Sequence, residues 1–159
     1  MSKKINLLET GNMLLAAQKI VLCCHVSPDG DTLGSALGLA RLLEQKGKEV
    51  TVFVDDDINK SLSFIPGIDK VQRPEAGVIV EADLFVVVDA SSFDRVGICN
   101  EVVKAPVLLN IDHHISNTEF ADYLYLDAEA AAAGEIMCDL FEAMGWEYDE
   151  AIAVDFYTA

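Results

Sequence analysis

The sequence predicts an α/β fold with a doubly wound, mainly parallel sheet that has helices on both faces. Two observations support this prediction. Short apolar runs alternate along the chain with longer segments that have apolar residues at helical spacing. One of the runs, residues 84–88 (LFVVV), is continuous and β-branched, as expected for a strand buried on both faces. Strands joined by helical crossovers pair in parallel, and the crossovers cover both faces of the sheet.

The regular elements follow from these patterns in chain order. Leu7, Leu8, Leu14 and Leu15 have helical spacing, and Gly47 is placed to end the second helix in a left-handed conformation. We predict strands at residues 19–24, 49–54, 84–88 and 106–111, and helices at residues 5–18, 32–47, 127–144 and 148–159.

Residues 61–81 interrupt this alternation. They contain Pro66, Gly67, Pro74 and Gly77, which favour turns over long helices. We therefore predict short helical turns there, with a minor strand at residues 70–72.

Composition and charge exclude several classes of protein. The chain has 159 residues, of which 52% are hydrophobic, and this fits one packed domain. Its net charge of −16 repels polyanions, so we expect no long duplex nucleic acid as a partner. Residues 55–57 and the carboxylates of residues 139–150 are interpreted as solvated surface. The apolar runs are too short for a membrane span or signal peptide, so we expect a cytoplasmic protein without a membrane partner.

The four cysteines show no metal-binding spacing. Cys23, Cys24, Cys99 and Cys138 form no C-x-x-C pair, and the first two are adjacent on a predicted strand, where their side chains point to opposite faces. We interpret them as buried thiols, which fits a reducing compartment.

Histidines and aspartates follow the predicted strands where those strands end. All three histidines of the chain belong to this set. Ligands bind beyond the carboxyl ends of parallel strands, and a His and carboxylate set suits manganese, iron, zinc or magnesium. The segment 25–31 alone could instead be a turn in which Asp31 or Thr32 caps the next helix. The candidates at the strand ends are His25 and Asp29, then Asp89, and then Asp112, His113 and His114.

Two glycines of the second helix bear on the cofactor. Gly34 and Gly38 are interpreted as points where this helix packs closely on the sheet. They do not form a G-x-G-x-x-G fingerprint, which argues against a dinucleotide cofactor.

Three segments of the sequence resemble the first three motifs of the DHH phosphoesterase superfamily. They are H-V-S-P-D-G-D-T-L-G-S at 25–35, V-V-V-D-A-S-S at 86–92 and I-D-H-H-I-S-N at 111–117. The pattern is most similar to the nanoRNase and pAp phosphatase branch, often labelled exopolyphosphatase-like. RecJ-type exonucleases, pyrophosphatases and cyclic-dinucleotide phosphodiesterases remain alternatives.

The resemblance implies a phosphohydrolase that acts on short oligoribonucleotides or on 3′,5′-bisphosphate nucleotides such as pAp. It implies a hydroxide activated by two divalent ions, usually manganese, with magnesium or iron as alternatives. His25 and Asp29 would hold one ion, Asp31 and His113 would hold the other, and Asp89 would bridge both. The remaining implied roles are substrate phosphate contact by His114, orientation of a ligand histidine by Asp112, and either phosphate contact or loop capping by Ser91, Arg95 and Asn117.

The sequence departs from the family pattern at its end. The family has a fourth motif, an aspartate in a D-T-G-like turn, followed by a smaller substrate-binding domain. Residues 1–159 reach neither, so the resemblance implies a catalytic domain that is C-terminally incomplete, lacks the second domain and is weakly active alone. Asp155 precedes the expected turn and is not assigned the missing role. A module that binds metal or nucleotide without turnover is the alternative, and a homodimer is left open.

Overall fold

The computed structural model describes residues 1–159. The strands are β1 (Lys3–Lys4), β2 (Lys19–Cys23), β3 (Glu49–Phe53), β4 (Val80–Glu81), β5 (Leu84–Val88), β6 (Val103–Lys104), β7 (Leu108–Asp112) and β8 (Tyr123–Leu126). The α-helices are α1 (Leu7–Ala16), α2 (Gly30–Gln45), α3 (Cys99–Val102), α4 (Ala133–Met144) and α5 (Glu150–Thr158).

The main sheet has six parallel strands in the order β1-β8-β7-β5-β2-β3, which confirms the predicted fold class. In its centre, Leu22 of β2 pairs with Val86 of β5, and Val86 in turn pairs with Leu109 of β7. A separate pair, β4 with β6, forms a second small sheet. The chain leaves β2 toward β3 on one side, and the later strands add on the other side. The carboxyl ends of β2 and β5 therefore flank the point where the strand order reverses, which is where such folds bind ligands.

Alternation along β5 explains the two halves of the core. Val86 and Val88 contribute to the larger apolar cluster, which the helices α1, α2, α4 and α5 complete. Phe85 and Val87 point to the other face and join a smaller cluster, which α3 and its neighbouring turn complete. Both faces are therefore covered, as predicted, but four of the five helices lie on one of them.

The predicted helix at residues 127–144 was wrong in its first turn, and strand β8 was not predicted. Helix α4 begins only at Ala133, and β8 pairs with β7 in parallel. Parallel neighbours are usually joined through a helix, but residues 113–122 make this connection without one. With no helical pattern to separate the two strands, the second strand lacked the signal by which the others were found.

Predictions for residues 61–81 were largely confirmed. Short 3-10 turns span Lys60–Leu62 and Ile68–Lys70, and the predicted minor strand is reduced to one parallel bridge between Phe53 and Gln72.

None of the helices has both the length and the apolar composition needed to cross a membrane.

The prediction that Gly34 and Gly38 pack α2 against the sheet was wrong, because both glycines face α5. A Cβ atom at Gly34 would collide with the carbonyl oxygen of Asp155, and one at Gly38 would collide with the Phe156 ring. The missing side chains let the two helices approach closely. This contact places the end of α5 beside the start of α2, where the candidate site residues begin.

Two smaller predictions were also corrected. Cys138 is exposed, whereas the other three cysteines are buried as expected. Residues 55–57 are not all free surface, because the Asp55 carboxylate accepts from the Ile98 N–H (2.8 Å) and the Asp56 carboxylate accepts from the Ser27 N–H (2.9 Å). Two of these aspartates therefore hold loops that surround the candidate site.

Helix α5 also carries a buried carboxylate. The Asp155 side chain is fully buried, and neither of its oxygens has a hydrogen-bond partner. The nearest cation is Arg41 of α2, whose Nε lies 3.5 Å from Asp155 Oδ2. Burial raises the pKa of Asp155 to about 6, although Arg41 opposes the increase. The folded chain therefore keeps the proton of this carboxyl group to a higher pH than the unfolded chain does.

We expect the Asp155→Asn variant to gain stability relative to the native chain as pH rises from 4 to 7. An unfolded aspartate titrates near pH 4, so between pH 4 and 6 only the folded native chain keeps the proton. Above pH 6 the native fold holds a buried charge, which costs about 1 to 3 kcal/mol. Urea unfolding at several pH values measures this difference, with Asp139→Asn on exposed α4 surface as the matched control. A difference that stays constant with pH would contradict it.

Candidate metal centre

The candidate site lies at the carboxyl edge of the main sheet, over the ends of β2, β5 and β7. His25 follows β2, Asp89 follows β5, and the pair His113 and His114 follows β7. The only non-glycine residues with a left-handed backbone are Ser27 (φ 54°), Asp89 (φ 59°) and Glu119 (φ 52°), one in each of the three loops that leave these strands. Strain of this kind persists only where the surrounding structure holds it, and it is common at functional sites.

Asp89 lies at the centre of the site. Its Oδ2 is 3.4 Å from His25 Nε2, and its Oδ1 is 3.3 Å from His113 Nε2. The residue is 2% exposed, and Oδ1 is a buried oxygen without a hydrogen-bond partner. A buried carboxylate oxygen without a donor is costly unless a cation neutralises it. The two oxygens face two different imidazoles, and this donor set fits hard or borderline divalent cations.

The His25 ring is oriented by contacts on its Nδ1 side, which lies away from Asp89. Its Nδ1 lies 2.7 Å from the Val26 carbonyl oxygen and 3.1 Å from Arg95 Nη2, and these contacts leave Nε2 on the side of the ring that faces the site. Nε2 faces Asp89 and also lies 3.7 Å from Asp29 Oδ1. Burial lowers the pKa of His25, but hydrogen bonds to Asp89 and to Val26 raise it, and the net pKa is above the ordinary value. His25, Asp29 and Asp89 bring their ligand atoms within 4.8 Å of one another.

Asp31 lies near His113, and its carboxylate is also bound by the start of helix α4. One of its oxygens lies 3.5 Å from His113 Nε2, but both oxygens also accept from the first N–H groups of α4, those of Ala133 and Gly134 (2.9 Å each). Burial, followed by the charge of Asp89, raises the pKa of Asp31. The positive end of α4 thus holds this carboxylate at the edge of the site. The N-cap of α2 is Asp29, not Asp31 or Thr32 as the turn interpretation suggested.

The adjacent histidines His113 and His114 are held by different partners. His113 Nδ1 lies 3.2 Å from the Ala130 carbonyl oxygen, so its Nε2 is free to face Asp89. His114 Nδ1 lies 2.6 Å from Asp112 Oδ1 and 3.7 Å from Asp89 Oδ1. The ligand atoms of Asp89, His113 and His114 also lie within 4.8 Å of one another. Since Nδ1 of His114 is engaged by Asp112, we interpret His114 as presenting Nε2 outward rather than binding metal through Nδ1.

The three predicted substrate contacts lie around these groups. Arg95 Nη2 is 3.1 Å from His25 Nδ1, the side of the ring away from Asp89. The Ser91 carbonyl accepts from Thr118, and this joins the second and third loops. The Asn117 amide donates to Asn110 and to Asp112. Sequence reasoning missed Asn110, although a polar residue inside the apolar strand LLNID was a signal that could have found it.

The cysteines take no part in the site. Cys24 is buried at the end of β2, and burial raises the pKa of its thiol to about 12. A thiol that is protonated at neutral pH is neither a nucleophile nor a metal ligand. The chemistry therefore depends on the imidazoles and carboxylates.

The chain is similar to known proteins over most of its length. The family model described as "DHH family, N-terminal domain" matches residues 19–159. A bifunctional oligoribonuclease and PAP phosphatase NrnA from Thermus thermophilus is 34% identical over 142 residues, which are 87% of this chain and 41% of that protein. A probable manganese-dependent inorganic pyrophosphatase from Enterococcus faecalis is 28% identical over 116 residues, which are 70% of this chain and 36% of that protein.

A solved structure has the same fold. The crystal structure of an exopolyphosphatase-related protein from Bacteroides fragilis superposes with a TM-score of 0.88 at 27% sequence identity, over 96% of this chain and 48% of that one. The chain thus spans less than half of the length of each of these three proteins.

Proposed function

The chain belongs to the DHH family, and from this premise we propose that it is the catalytic domain of a metal-dependent phosphoesterase. The observation that carries the proposal is the position of Asp89, whose two oxygens face His25 Nε2 and His113 Nε2 separately. A carboxylate whose two oxygens face two different imidazoles is suited to bridge two cations. The buried Oδ1, which has no hydrogen-bond partner, supports the same proposal, because a cation would neutralise it.

Two divalent ions are the cofactors we propose, with manganese first and magnesium or iron as alternatives. His25, Asp29 and Asp89 would hold one ion, and Asp89, His113 and Asp31 would hold the other. Bound ions of this kind acidify water and neutralise phosphate charge. The name of the Enterococcus faecalis relative supports manganese. Each Asp31 oxygen accepts one α4 N–H group, so a lone pair on each oxygen remains for the second ion.

The other residues orient the substrate. His114 is held through Nδ1 by Asp112, so its Nε2 is available for a phosphate oxygen. Its side chain is 39% exposed, which makes it the most accessible of the three histidines. Ser91 remains a proposed phosphate contact, whereas Arg95 lies behind His25 and Asn117 has already used its N–H groups.

Short phosphorylated nucleotides are the substrates we propose. The Thermus thermophilus relative is named for oligoribonucleotides and PAP, and this supports the same class here. The net charge of −16 offers long nucleic acid no attraction, so a short substrate that contacts mainly the metal site fits better. The three buried, free thiols fit a reducing compartment, and we propose the cytoplasm as the location.

We expect manganese to raise the melting temperature of the 159-residue chain by about 5 to 10 °C at saturating concentration, because binding to the folded state stabilises it by about 2 to 3 kcal/mol. Chelator should reverse the increase. Hydrolysis of pAp, a diribonucleotide, pyrophosphate and bis-p-nitrophenyl phosphate with manganese then identifies the reaction. A thermal shift without turnover of any of the four, both by this chain and by the same chain extended through the fourth motif and the second domain, would favour the binding module. No shift at all would reject the metal site.

A further inference from the structure

A pair of amides lies beneath the site histidines. Asn110 is in the interior of β7, between Leu109 and Ile111, and it is completely buried. Burial of an amide without hydrogen bonds costs about 1 to 3 kcal/mol, so a polar residue persists at this position only if its partners are in place. Asn117, in the loop after β7, is one of those partners.

The hydrogen bonds determine how both amides are oriented. Asn110 Nδ2 donates to the carbonyl oxygens of Val87 (3.1 Å) and Ala90 (3.2 Å), which can only accept. Asn110 Oδ1 must therefore be the acceptor for Asn117 Nδ2, at 2.7 Å. Asn117 Oδ1 accepts from the backbone N–H of Glu119 at 2.8 Å, and this agrees with the same orientation. Neither amide has an alternative orientation that satisfies these backbone groups.

The chain of hydrogen bonds continues to His114. The second N–H of Asn117 donates to Asp112 Oδ2 at 2.6 Å, and Asp112 Oδ1 lies 2.6 Å from His114 Nδ1. Asp112 is completely buried, so each of its oxygens is committed to one of these partners. The carboxylate thus holds the Nδ1–H tautomer of His114 and fixes the plane of its ring.

The other end of the chain reaches Asp89. The two carbonyls that Asn110 binds belong to Val87 and Ala90, which lie on either side of Asp89 along the backbone. Asp89 has a left-handed φ of 59°, which residues other than glycine adopt uncommonly. Asn110 therefore stabilises the turn that contains Asp89. The same amide is connected to His114 by hydrogen bonds through Asn117 and Asp112.

We infer that Asn110 and Asn117 are positioning residues that set His114 relative to Asp89 through Asp112. This inference rests on the proposed function of His114 and Asp89. The N–H groups of both amides are already engaged within the protein, so we assign neither amide to substrate or metal. Their role is to keep the Nε2 of His114 at a constant place beside the centre, because a flexible imidazole would lose its alignment with the substrate.

The orientation of His114 can be measured without metal or substrate. The chain has only three histidines, so a ¹⁵N–¹H imidazole spectrum of the full metal-free chain resolves each one. We expect a downfield, slowly exchanging Nδ1–H signal from His114 that is lost in Asn117→Ala, whereas the ring signals of His25 and His113 are unchanged. Asn100→Ala is the matched control, because Asn100 is also half-buried but lies in α3, and it should keep all three signals.

Activity adds a second readout. We expect Asn117→Ala to lower kcat about 10- to 100-fold with little change in KM, and to keep the manganese-dependent thermal shift. In a His114→Ala background the same substitution should cause no further loss. If wild-type protein lacks both turnover and thermal shift, the proposed function fails, and the imidazole spectrum still decides the positioning role.

Three outcomes would overturn the inference. They are an unchanged His114 signal in Asn117→Ala, a loss of kcat that adds fully to that of His114→Ala, and loss of the manganese shift together with kcat. If Asn117→Ala does not fold, Asn117→Ser decides in its place, because a serine hydroxyl is too short to bridge Asn110 and Asp112. Retention of the His114 signal in a folded Asn117→Ser variant would then reject the positioning role.

Discussion

The Asp89→Asn variant is expected to lose the manganese-dependent increase in melting temperature and to lower kcat/KM about a thousandfold or more. The amide keeps the size of the side chain but removes the charge that faces His25 and His113. Electrostatic stabilisation at such a site amounts to several kcal/mol, which corresponds to this factor in rate. Asparagine is the substitution of choice because it tolerates the left-handed φ of 59°, whereas alanine would add backbone strain.

Without metal, the same variant should be as stable as the native chain or more stable. The charge of Asp89 helps to raise the pKa of Asp31, so removal of that charge relieves repulsion between the two carboxylates. Thermal unfolding with manganese and with chelator measures both effects in one experiment. Asp57→Asn, at a side chain that is 97% exposed, is the control. A variant that keeps the manganese shift would show that Asp89 is not a ligand.

The His114→Ala variant is expected to lower kcat about 100- to 10,000-fold while the manganese shift stays intact. Its Nδ1 is committed to Asp112, so removal of the ring takes away the proposed substrate contact and leaves the proposed metal ligands in place. Turnover and thermal shift are measured on the same preparation.

His113→Ala is the matched comparison, because the two rings are neighbours with centroids 4.5 Å apart. Its Nε2 faces Asp89 and Asp31, so this variant should lose both turnover and the greater part of the manganese shift. Equal loss of the shift in both variants would assign His114 to the metal as well, through the Nδ1 that lies 3.7 Å from Asp89.

The sequence alone was enough to predict four of the six strands of the main sheet and the edge at which the candidate site lies. Residues such as Leu84–Val88 are buried on both faces and carry their own strand signal. Because the carboxyl ends of parallel strands meet at one edge, the residues after those ends had to be neighbours. The convergence of His25, Asp89 and His113 could therefore be predicted from their places in the chain, without knowledge of any side-chain contact.

Contacts between distant segments could be decided only by the tertiary structure. The capture of Asp31 by the α4 N–H groups joins residues more than 100 positions apart, and no local pattern specifies it. The close packing of Gly34 against α5 was likewise misassigned to the sheet, because a glycine in a sequence does not indicate which neighbour approaches it.

Strand β8 and the pair Asn110 and Asn117 also depended on the tertiary structure rather than on local sequence patterns. β8 follows β7 without a helix, so its place in the sheet depends on how residues 113–122 cross the edge. Asn110 looked like an isolated polar residue in an apolar strand until the fold brought Asn117 within 2.7 Å. Local periodicity reports which face of an element is buried. Only packing decides which groups meet there, since the hydrogen bonds that make buried amides tolerable form between segments that the chain has first brought together.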